Sequence, residues 1–190
     1  MRILLASKSP RRRELLEMLK LQFEVINIGD VKEEFPADLS PILVAEYLSA
    51  LKSKAYVPRL KEDELLITAD TVVILDDKIL GKPKDEAEAA EMLRTLSGKT
   101  HQVVSGVTIA TLNETVSFNS STDVKFAELA EDEIKFYVEN FRPLDKAGAY
   151  GIQEWIGCVA VEGIKGSYYN VMGLPVHRLY KELHRFLPLP

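Results

Sequence analysis

The residue types that could bind phosphate are concentrated at the amino terminus, where an apolar segment passes through a short polar turn into a helix-forming stretch. Residues 2–6 predict a strand, and the proline at position 10 suits the first position of a helix that Ser9 would cap. The free backbone amides of a first helical turn attract anions, and arginine side chains match the geometry of phosphate oxygens. Arg11, Arg12 and Arg13 therefore predict a phosphate site, although a solvated first turn of arginines explains the same cluster.

The charge distribution favours a small anionic partner. Residues 1–20 carry six basic and two acidic side chains, whereas the whole chain has a formal net charge of −5. A local basic cluster on an acidic protein is typical of a site for a small polyanion, because a nucleic-acid interface needs a broader basic surface. The sequence therefore predicts a phosphorylated small molecule as the partner and no nucleic acid.

Length and composition predict one soluble domain. The 190 residues are 46% hydrophobic, which is enough for a substantial core, and we expect a single two-lobed domain over residues 1–190. Cys158 is the only cysteine, which excludes an internal disulfide and favours a reducing compartment. No apolar stretch approaches the length of a membrane span, so we expect a cytoplasmic protein with no membrane partner.

Acidic residues at a strand end and in a loop form a second group of candidates. The apolar stretch 65–69 predicts a buried strand that stops at Asp70, and α/β folds commonly place site residues at the carboxyl ends of strands. Glu33 and Glu34 lie in an acidic loop that could approach Asp70. Because Mg²⁺ prefers one or two carboxylates together with phosphate oxygens, these residues are candidate metal ligands. A turn-capping aspartate and a solvated acidic loop are the alternatives.

Two lysines and one glutamine are further candidates for binding a nucleotide. Lys52, near the end of a predicted helix, and Lys82, in a Gly-Lys-Pro loop, could bind phosphate as point charges, although isolated lysines are usually surface residues. Gln153 follows a segment rich in small residues, and its amide offers both a donor and an acceptor to a base edge. A tight turn explains that segment equally well.

The three histidines, including His101, lack zinc-ligand spacing and are expected to be structural or surface residues.

Strands and helices alternate along the chain. Hydrophobic periodicity and turn signals predict strands over residues 2–6, 23–28, 65–69, 72–75, 78–80, 100–112, 115–127, 158–162 and 168–171. The same signals predict helices over residues 10–20, 40–56, 85–96, 131–140 and 175–187. In the second helix, the residues expected to face inward are Leu43, Val44, Tyr47, Leu48 and Leu51. The alternation, interrupted by the long antiparallel pair 100–112 and 115–127, predicts an α/β or mixed α+β fold.

Longer motifs follow one another from the first strand to the last helix: LASKSPRR (5–12), ADTVV (69–73), GKP (81–83), LSGKTH (96–101), DKAGAYGIQ (145–153) and YNVMGLP (169–175). Together they resemble the Maf family of septum-formation-inhibitor-like nucleoside triphosphate pyrophosphatases. The resemblance implies an elongated mixed sheet with flanking helices, forming two lobes around a central cleft, and often a homodimer. It also implies metal-dependent hydrolysis of a nucleoside triphosphate to the monophosphate and pyrophosphate.

The same resemblance assigns roles to individual residues. Asp70 matches the catalytic aspartate, and with Glu33 it would hold the divalent cation, Mg²⁺ or Mn²⁺. The resemblance and the amino-terminal arginine cluster together predict substrate-binding residues at Ser9, Arg12, Arg13, Lys52, Lys82 and Gln153. The Ala-Tyr-Gly-Ile-Gln form that ends at Gln153 is similar to the branch that prefers dTTP and UTP. Glu154 and Trp155 depart from the family, which commonly has a small glycine there, and they place a bulky charged pair near the expected base site.

The predicted mechanism uses Asp70 to accept a proton from a water that attacks the α-phosphorus, while the metal, Arg12, Lys52 and Lys82 neutralise charge on the phosphate chain. The expected function is house-cleaning of the nucleotide pool by hydrolysis of dTTP and UTP. Two alternatives stay open: a nucleotide-binding regulator of septum formation without turnover, and the same chemistry on modified or other nucleotides. Pyrophosphate detection with a panel of nucleotides distinguishes them.

Overall fold

The computed structural model describes residues 1–29 and 31–189, which form a mixed sheet with flanking helices. The strands are β1 (Arg2–Ala6), β2 (Phe23–Val25), β3 (Glu64–Leu75), β4 (Lys78–Leu80), β5 (Thr100–Ala110), β6 (Thr115–Phe126) and β7 (Val161–Lys165). The α-helices are α1 (Pro10–Met18), α2 (Pro41–Tyr56), α3 (Glu86–Leu96), α4 (Glu131–Phe141), α5 (Trp155–Ala160), α6 (Tyr168–Met172) and α7 (Val176–Leu183). Within these ranges, no helix combines the length and apolar character needed to cross a membrane. The strand order is β2-β1-β3-β5-β6-β7 with β4 on β3, which confirms the predicted mixed α/β class.

The chain forms two compact units. Unit 1 contains the described residues of Met1–Asp70, of Ser105–Ser120 and of the chain from Gly173 onward, and unit 2 contains Thr71–Val104 and Ser121–Met172. Strands β3, β5 and β6 contribute residues to both units, so each unit has its own part of the sheet. The arrangement as one domain with two lobes around a cleft stays a prediction.

In unit 1, the short strand β1 lies between two parallel neighbours. Ile3 is in register with Phe23 of β2 on one side and with Leu65 of β3 on the other. All residues of β1 after Arg2 are buried, as expected for a parallel strand that is covered on both faces. The apolar cluster around β1 consists of Leu4, Ala6, Leu60, Leu66 and Ala110. This packing places the end of β1, and therefore the start of α1, in a fixed position.

Helix α2 approaches β5 very closely within unit 1. A Cβ atom on Gly106 of β5 would lie only 2.2 Å from the backbone carbonyl carbon of Ala45, so only glycine fits there without a shift of the helix. Buried hydroxyl groups add polar contacts: Ser49 Oγ lies 2.8 Å from Thr108 Oγ1, and Thr68 Oγ1 donates to the Ser49 carbonyl at 2.8 Å. These contacts fix the height and rotation of α2 over the sheet.

Unit 2 contains the predicted hairpin and a helical layer. Strand β4 pairs with β3 in the antiparallel sense, and Asp76 and Asp77 of the connecting turn both have positive φ, as a two-residue type I′ turn requires. Helices α3 and α4 pack against one another. The fully buried side chains of the core include Leu93, Leu96, Phe126, Ile134 and Tyr137. The unit therefore has an apolar core of its own.

The predicted end of a strand at Asp70 is wrong, because β3 continues through Asp70 to Leu75. A polar Asp-Thr pair after an apolar run has the composition of a turn. However, the residues on both sides of the pair are buried, and the Asp70 carboxylate has an ionic partner within hydrogen-bond distance. Tertiary contacts therefore keep this pair in an extended strand.

The strand predicted over residues 158–162 is wrong in its first half. Helix α5 occupies this part of the chain, and its Ile156 and Ala160, which lie one turn apart, are both fully buried. Only the residues from Val161 onward join β7. The short apolar run fits a helix and a strand equally well, and burial at the i, i+4 positions decides for the helix.

The strand predicted over residues 168–171 is helix α6 in the structure. The buried Asn170 side chain donates to the Val103 carbonyl and to Thr122 Oγ1, each at 3.0 Å. These long-range contacts hold the segment in a helical turn although tyrosine and valine favour strands. Helices α1 and α7 and strand β2 are also shorter than predicted.

The predicted inward face of α2 is partly wrong. Val44 and Leu48 are buried as predicted, whereas Leu43 and Tyr47 are 44% and 39% exposed. The close approach of α2 to Gly106 explains the difference. It turns the small residues Ala45 and Ser49 toward the sheet.

Candidate active site

Three predicted site residues meet around one ammonium group in unit 1. Lys52 Nζ, near the end of α2, lies 2.5 Å from Asp70 Oδ1 on β3 and 2.9 Å from Glu33 Oε1 in the segment that precedes α2. The side chains of Lys52 and Asp70 are each 13% exposed, whereas that of Glu33 is 45% exposed. The structure therefore places two carboxylates and one cation at a partly buried position that solvent reaches from the Glu33 side.

Arg12 supports the strand that carries Asp70. Its Nε donates to the Gly173 carbonyl at 2.9 Å, and its Nη1 donates to the Ala69 carbonyl at 2.8 Å. Burial lowers the pKa of the Arg12 guanidinium, and the Asp70 carboxylate acts in the opposite direction. Because a guanidinium stays protonated at physiological pH, Arg12 supplies a permanent positive charge beside Asp70.

The other predicted residues of the amino-terminal cluster have simpler surroundings. Arg13 Nε donates to Glu17 Oε1 at 2.9 Å in an exposed i, i+4 pair on α1. Ser9 occupies the predicted N-cap position, but its side chain makes no capping hydrogen bond, and its backbone amide donates to Ser7 Oγ at 3.2 Å. Arg13 therefore fits the alternative of a solvated first turn, whereas the partly buried Arg12 does not.

Lys82 and Gln153 belong to unit 2, and both side chains are exposed. Lys82 follows β4, and Gln153 follows the 3-10 turn Ala147–Ala149. The amide of Gly148 donates to the Gly81 carbonyl at 3.0 Å, so the two segments are joined directly next to Lys82. The structure thus brings together the backbones that carry these two predicted substrate-binding residues.

Glu154 and Trp155, the departure from the family pattern, take part in the packing of unit 2. Glu154 Oε2 accepts a hydrogen bond from the Tyr137 hydroxyl, and Glu154 Oε1 lies 3.1 Å from Lys146 Nζ. The Trp155 ring packs on Phe136 with 4.9 Å between the ring centroids. Sequence reasoning missed Tyr137, and it assigned no role to Lys146 although this residue lies in the motif 145–153; the departure at Glu154 is a signal that leads to both.

His101 is a buried structural residue, one of the two outcomes expected from the sequence. Its Nε2 lies 2.7 Å from the Tyr150 hydroxyl, and its ring meets Phe126 edge-on at 4.9 Å between centroids. The Nδ1 atom is buried and has no hydrogen-bond partner among the described residues. Burial lowers the pKa of His101 to about 4, so the imidazole is neutral at physiological pH.

Glu33 and Asp70 offer the donor set that a divalent cation would need. No group of three or more His, Cys, Asp or Glu side chains within residues 1–29 and 31–189 has a metal-binding arrangement. Glu33 and Asp70 nevertheless bind the same ammonium, so their oxygens converge on one cationic position. Two carboxylates, completed by water and phosphate oxygens, suit Mg²⁺ or Mn²⁺. The residues therefore fit such a cation, and Lys52 would compete with it for the same oxygens.

Similarity to known proteins extends along almost the entire chain. A family model described as Maf-like protein matches residues 2–186. The chain belongs to this family. A dTTP/UTP pyrophosphatase of Porphyromonas gingivalis is 55% identical over 187 residues, which cover 97% of this chain and 94% of the relative. A protein of the same name from Bacteroides thetaiotaomicron is 51% identical, with 96% of this chain and 95% of the relative covered.

Two solved structures have a similar fold at low sequence identity. The Ham1 protein of Staphylococcus aureus superposes with a TM-score of 0.56 at 19% identity, over 96% of this chain and all of that one. A HAM1 protein of Coxiella burnetii has a TM-score of 0.52 at 16% identity, over 97% of this chain and 99% of that one. At these identities the similarity shows the fold alone.

Proposed function

We propose that the chain hydrolyses dTTP and UTP to the nucleoside monophosphate and pyrophosphate, and so removes these triphosphates from the nucleotide pool. The observation that carries the proposal is the convergence of Asp70, Lys52 and Glu33 in unit 1, with Arg12 beside Asp70. Hydrolysis of a phosphoanhydride depends on positioning and on charge stabilisation, which such a group of side chains supplies. Relatives that are 55% and 51% identical carry the name of this activity.

Asp70 is the proposed general base. A carboxylate accepts hydrogen bonds at both oxygens, so the contact between Oδ1 and Lys52 leaves Asp70 able to accept the proton of a water molecule. The deprotonated water attacks the α-phosphorus, the bond from this phosphorus to the β-phosphate oxygen breaks, and pyrophosphate leaves. The strand β3 and the Arg12 contact to Ala69 hold the base in place.

The remaining predicted residues are proposed to bind the substrate. Arg12, Lys52 and Lys82 would neutralise charge on the phosphate chain, and the amino-terminal end of α1 at Ser9 would offer backbone amides to a phosphate oxygen. Gln153 would pair with the carbonyl and imino groups of a uracil or thymine edge through its side-chain amide. The exposure of Lys82 and Gln153 supports these roles, because both side chains are accessible to a ligand.

Metal dependence is part of the proposal, with Glu33 and Asp70 as the protein ligands. When bound, Mg²⁺ or Mn²⁺ would supply Lewis-acid stabilisation of the charge that develops on the phosphate oxygens. The fit of the donor set, two carboxylates that converge on one cationic position, supports this assignment. The Lys52 ammonium would then leave these carboxylates and contact the substrate phosphates.

We also propose that the protein is a cytoplasmic homodimer, as the family resemblance implies. The exposed, unpaired Cys158 suits a reducing compartment. The apolar side chains of Ile42, Leu43 and Tyr47 are exposed on α2 and offer a surface that a second copy could cover. Sedimentation equilibrium measures the oligomeric state directly.

Product analysis tests the proposed reaction. Incubation with dTTP and either Mg²⁺ or Mn²⁺ is expected to yield dTMP and pyrophosphate, separated by ion-exchange chromatography. Release of dTDP and orthophosphate would mean attack at the γ-phosphorus and would contradict the proposal. Tight binding of dTTP without any product would support the regulator instead, and faster turnover of other nucleotides would contradict the assigned substrates.

A further inference from the structure

The Tyr137 hydroxyl lies at the centre of the hydrogen bonds that surround Gln153. Tyr137 belongs to α4 and is fully buried, and its hydroxyl accepts the backbone N–H of Gly151 at 3.0 Å. The same hydroxyl donates to Glu154 Oε2. One side chain therefore binds the residue two positions before Gln153 and the residue immediately after it.

Glu154 is held in this arrangement by a second, ionic contact. Its Oε1 pairs with Lys146 Nζ at 3.1 Å, and the same ammonium lies 2.7 Å from Asp145 Oδ1. The Lys146 side chain is 9% exposed and that of Glu154 is 20% exposed, so both charges are largely removed from water and depend on their partners. The carboxylate of Glu154 is thus fixed toward the interior of unit 2.

The backbone around Gln153 is closely packed against the same group. A Cβ atom on Gly151 would lie 2.9 Å from the carboxyl carbon of Glu154, so the turn brings this glycine against the Glu154 side chain. The amide of Glu154 donates to the Gly151 carbonyl at 3.0 Å and closes the turn. The ring of Tyr137 stacks on Phe141 at 5.1 Å between centroids, which fixes the position of the hydroxyl.

We infer that Tyr137 is a positioning residue for base selection: it closes residues 151–154 into one rigid turn and so presents the Gln153 amide in a single orientation. This inference rests on the proposed function, in which Gln153 pairs with uracil or thymine. An amide selects a base edge only when its donor and acceptor face the matching groups. A turn that is already ordered also reduces the entropy lost on binding.

Nucleotide selectivity of Tyr137→Phe tests the inference. The variant keeps the ring that packs on Phe141 and removes only the hydroxyl. We expect the ratio of kcat/KM for UTP to that for dATP to fall about 3- to 10-fold, through a higher KM for UTP at unchanged kcat. A merely structural role would lower kcat/KM for both nucleotides by the same factor, and would overturn the inference. Tyr169→Phe, which makes the same change at an exposed tyrosine of the same unit, is the matched control.

A double-mutant cycle shows whether Tyr137 acts through Gln153. If it does, Tyr137→Phe combined with Gln153→Ala reduces the UTP preference no further than Gln153→Ala alone. Additive losses would overturn the inference, because Tyr137 would then act elsewhere. If Gln153→Ala flattens the preference while Tyr137→Phe leaves it unchanged, the inference is wrong and the proposed function stands. An unchanged preference in Gln153→Ala overturns the proposed base selection and, with it, the positioning role.

Variants of Glu154 provide a second test that leaves Tyr137 intact. In Glu154→Gln the amide oxygen can still accept the hydroxyl hydrogen bond, so we expect the UTP preference to be retained. In Glu154→Ala the acceptor is lost, and we expect the same reduced preference as in Tyr137→Phe. Equal selectivity of the two Glu154 variants would overturn the inference. Thermal melts of all variants confirm that each is folded at the assay temperature.

Discussion

The ammonium of Lys52 lies 2.5 Å from Oδ1 of Asp70 and also contacts Glu33, so a lysine takes the position of a cation between two carboxylates. Lysine is attached to the chain and cannot leave, but its long flexible stem lets it turn aside. A divalent cation that binds Glu33 and Asp70 must therefore displace the Lys52 ammonium. The chain thus has an internal competitor for its proposed metal.

We predict that Lys52→Met binds Mn²⁺ more tightly than the wild type when no nucleotide is present, by about tenfold, because a competing positive charge is removed. Hydrolysis should fall at the same time, since Lys52 no longer neutralises phosphate charge. Titration of free Mn²⁺ by electron paramagnetic resonance measures the affinity without turnover. Lys54→Met, which removes an exposed lysine of the same helix, should leave the affinity unchanged. Weaker Mn²⁺ binding by Lys52→Met would contradict the competition.

We predict that Asp70→Asn lowers kcat for dTTP by about 10²–10⁴, because an amide cannot accept the proton of the attacking water. Nucleotide affinity should change by only several-fold, since the phosphate-binding cations remain. Single-turnover kinetics and isothermal titration separate the two quantities. Asp38→Asn, at an exposed aspartate of the same unit, is the control. Near-normal turnover of Asp70→Asn would make Asp70 a structural residue.

We predict that Arg12→Ala lowers both turnover and stability, with a loss of about 1–3 kcal/mol in the free energy of unfolding, because the Ala69 and Gly173 carbonyls lose a charged donor. Lys82→Ala should lower turnover alone, since Lys82 is exposed. Arg13→Ala should affect stability least, because its pair with Glu17 is exposed. Urea denaturation with and without metal-nucleotide measures these effects. Equal ligand-induced stabilisation in wild type, Arg12→Ala and Lys82→Ala would remove both residues from the substrate site.

We predict that acid destabilises the protein partly through His101. Its pKa is about 4 in the folded chain against 6.5 as the reference value, so the unfolded chain binds the proton first as the pH falls. The associated stability is present above pH 6.5 and decreases toward pH 4, by a total of about 3 kcal/mol. His101→Gln should therefore flatten the pH dependence of the unfolding free energy in this range. His184→Gln, at an exposed histidine, is the matched control for the substitution itself.

We predict that Gly106→Ala destabilises the protein by about 1–3 kcal/mol and also lowers turnover, because the added methyl group must push α2 away from β5. Helix α2 carries Lys52, so its displacement also moves the ammonium from Asp70. Gly163→Ala is the matched control, since its Cβ meets no atom within 4 Å. Unchanged thermal stability of Gly106→Ala would show that α2 can shift at no cost.

Local patterns predicted the regular elements of the chain where periodicity was strong. The strand Arg2–Ala6 and the helix Pro41–Tyr56 have the predicted bounds or nearly so, and the turn at Asp76 and Asp77 was visible from its residue types. The errors at Trp155–Ala160 and Tyr168–Met172 have another origin. There the segments contact residues far away in the sequence: the Ala160 carbonyl accepts the Ala127 N–H, and Asn170 donates to the Val103 carbonyl. A local pattern does not contain such contacts.

The residues of the candidate site could be predicted from the sequence, but the contacts that they make could not. The family resemblance points to Asp70, Lys52 and Arg12, but the pairing of Lys52 with two carboxylates depends on the position of α2 over the sheet, which its close approach to Gly106 sets. Arg12 was expected to face phosphate, and its bonds to backbone carbonyls follow from the tertiary placement of α1. Tyr137 belongs to no motif and became visible only through its hydrogen bonds.

The continuity of β3 has a dynamic consequence for the proposed base. Asp70 lies inside a strand of 12 residues, so its backbone moves only when the sheet itself opens, a rare event in the core of a protein. Glu33 lies instead among residues 31–40, which form no helix or strand, and local opening of such a stretch costs less free energy than opening of a core strand. Slow amide hydrogen exchange at Asp70 beside rapid exchange near Glu33 would be the signature of this contrast. In the proposed reaction, a nucleotide would thus meet a base held by the sheet, and any adjustment to its shape would fall to Glu33 and the residues that follow it.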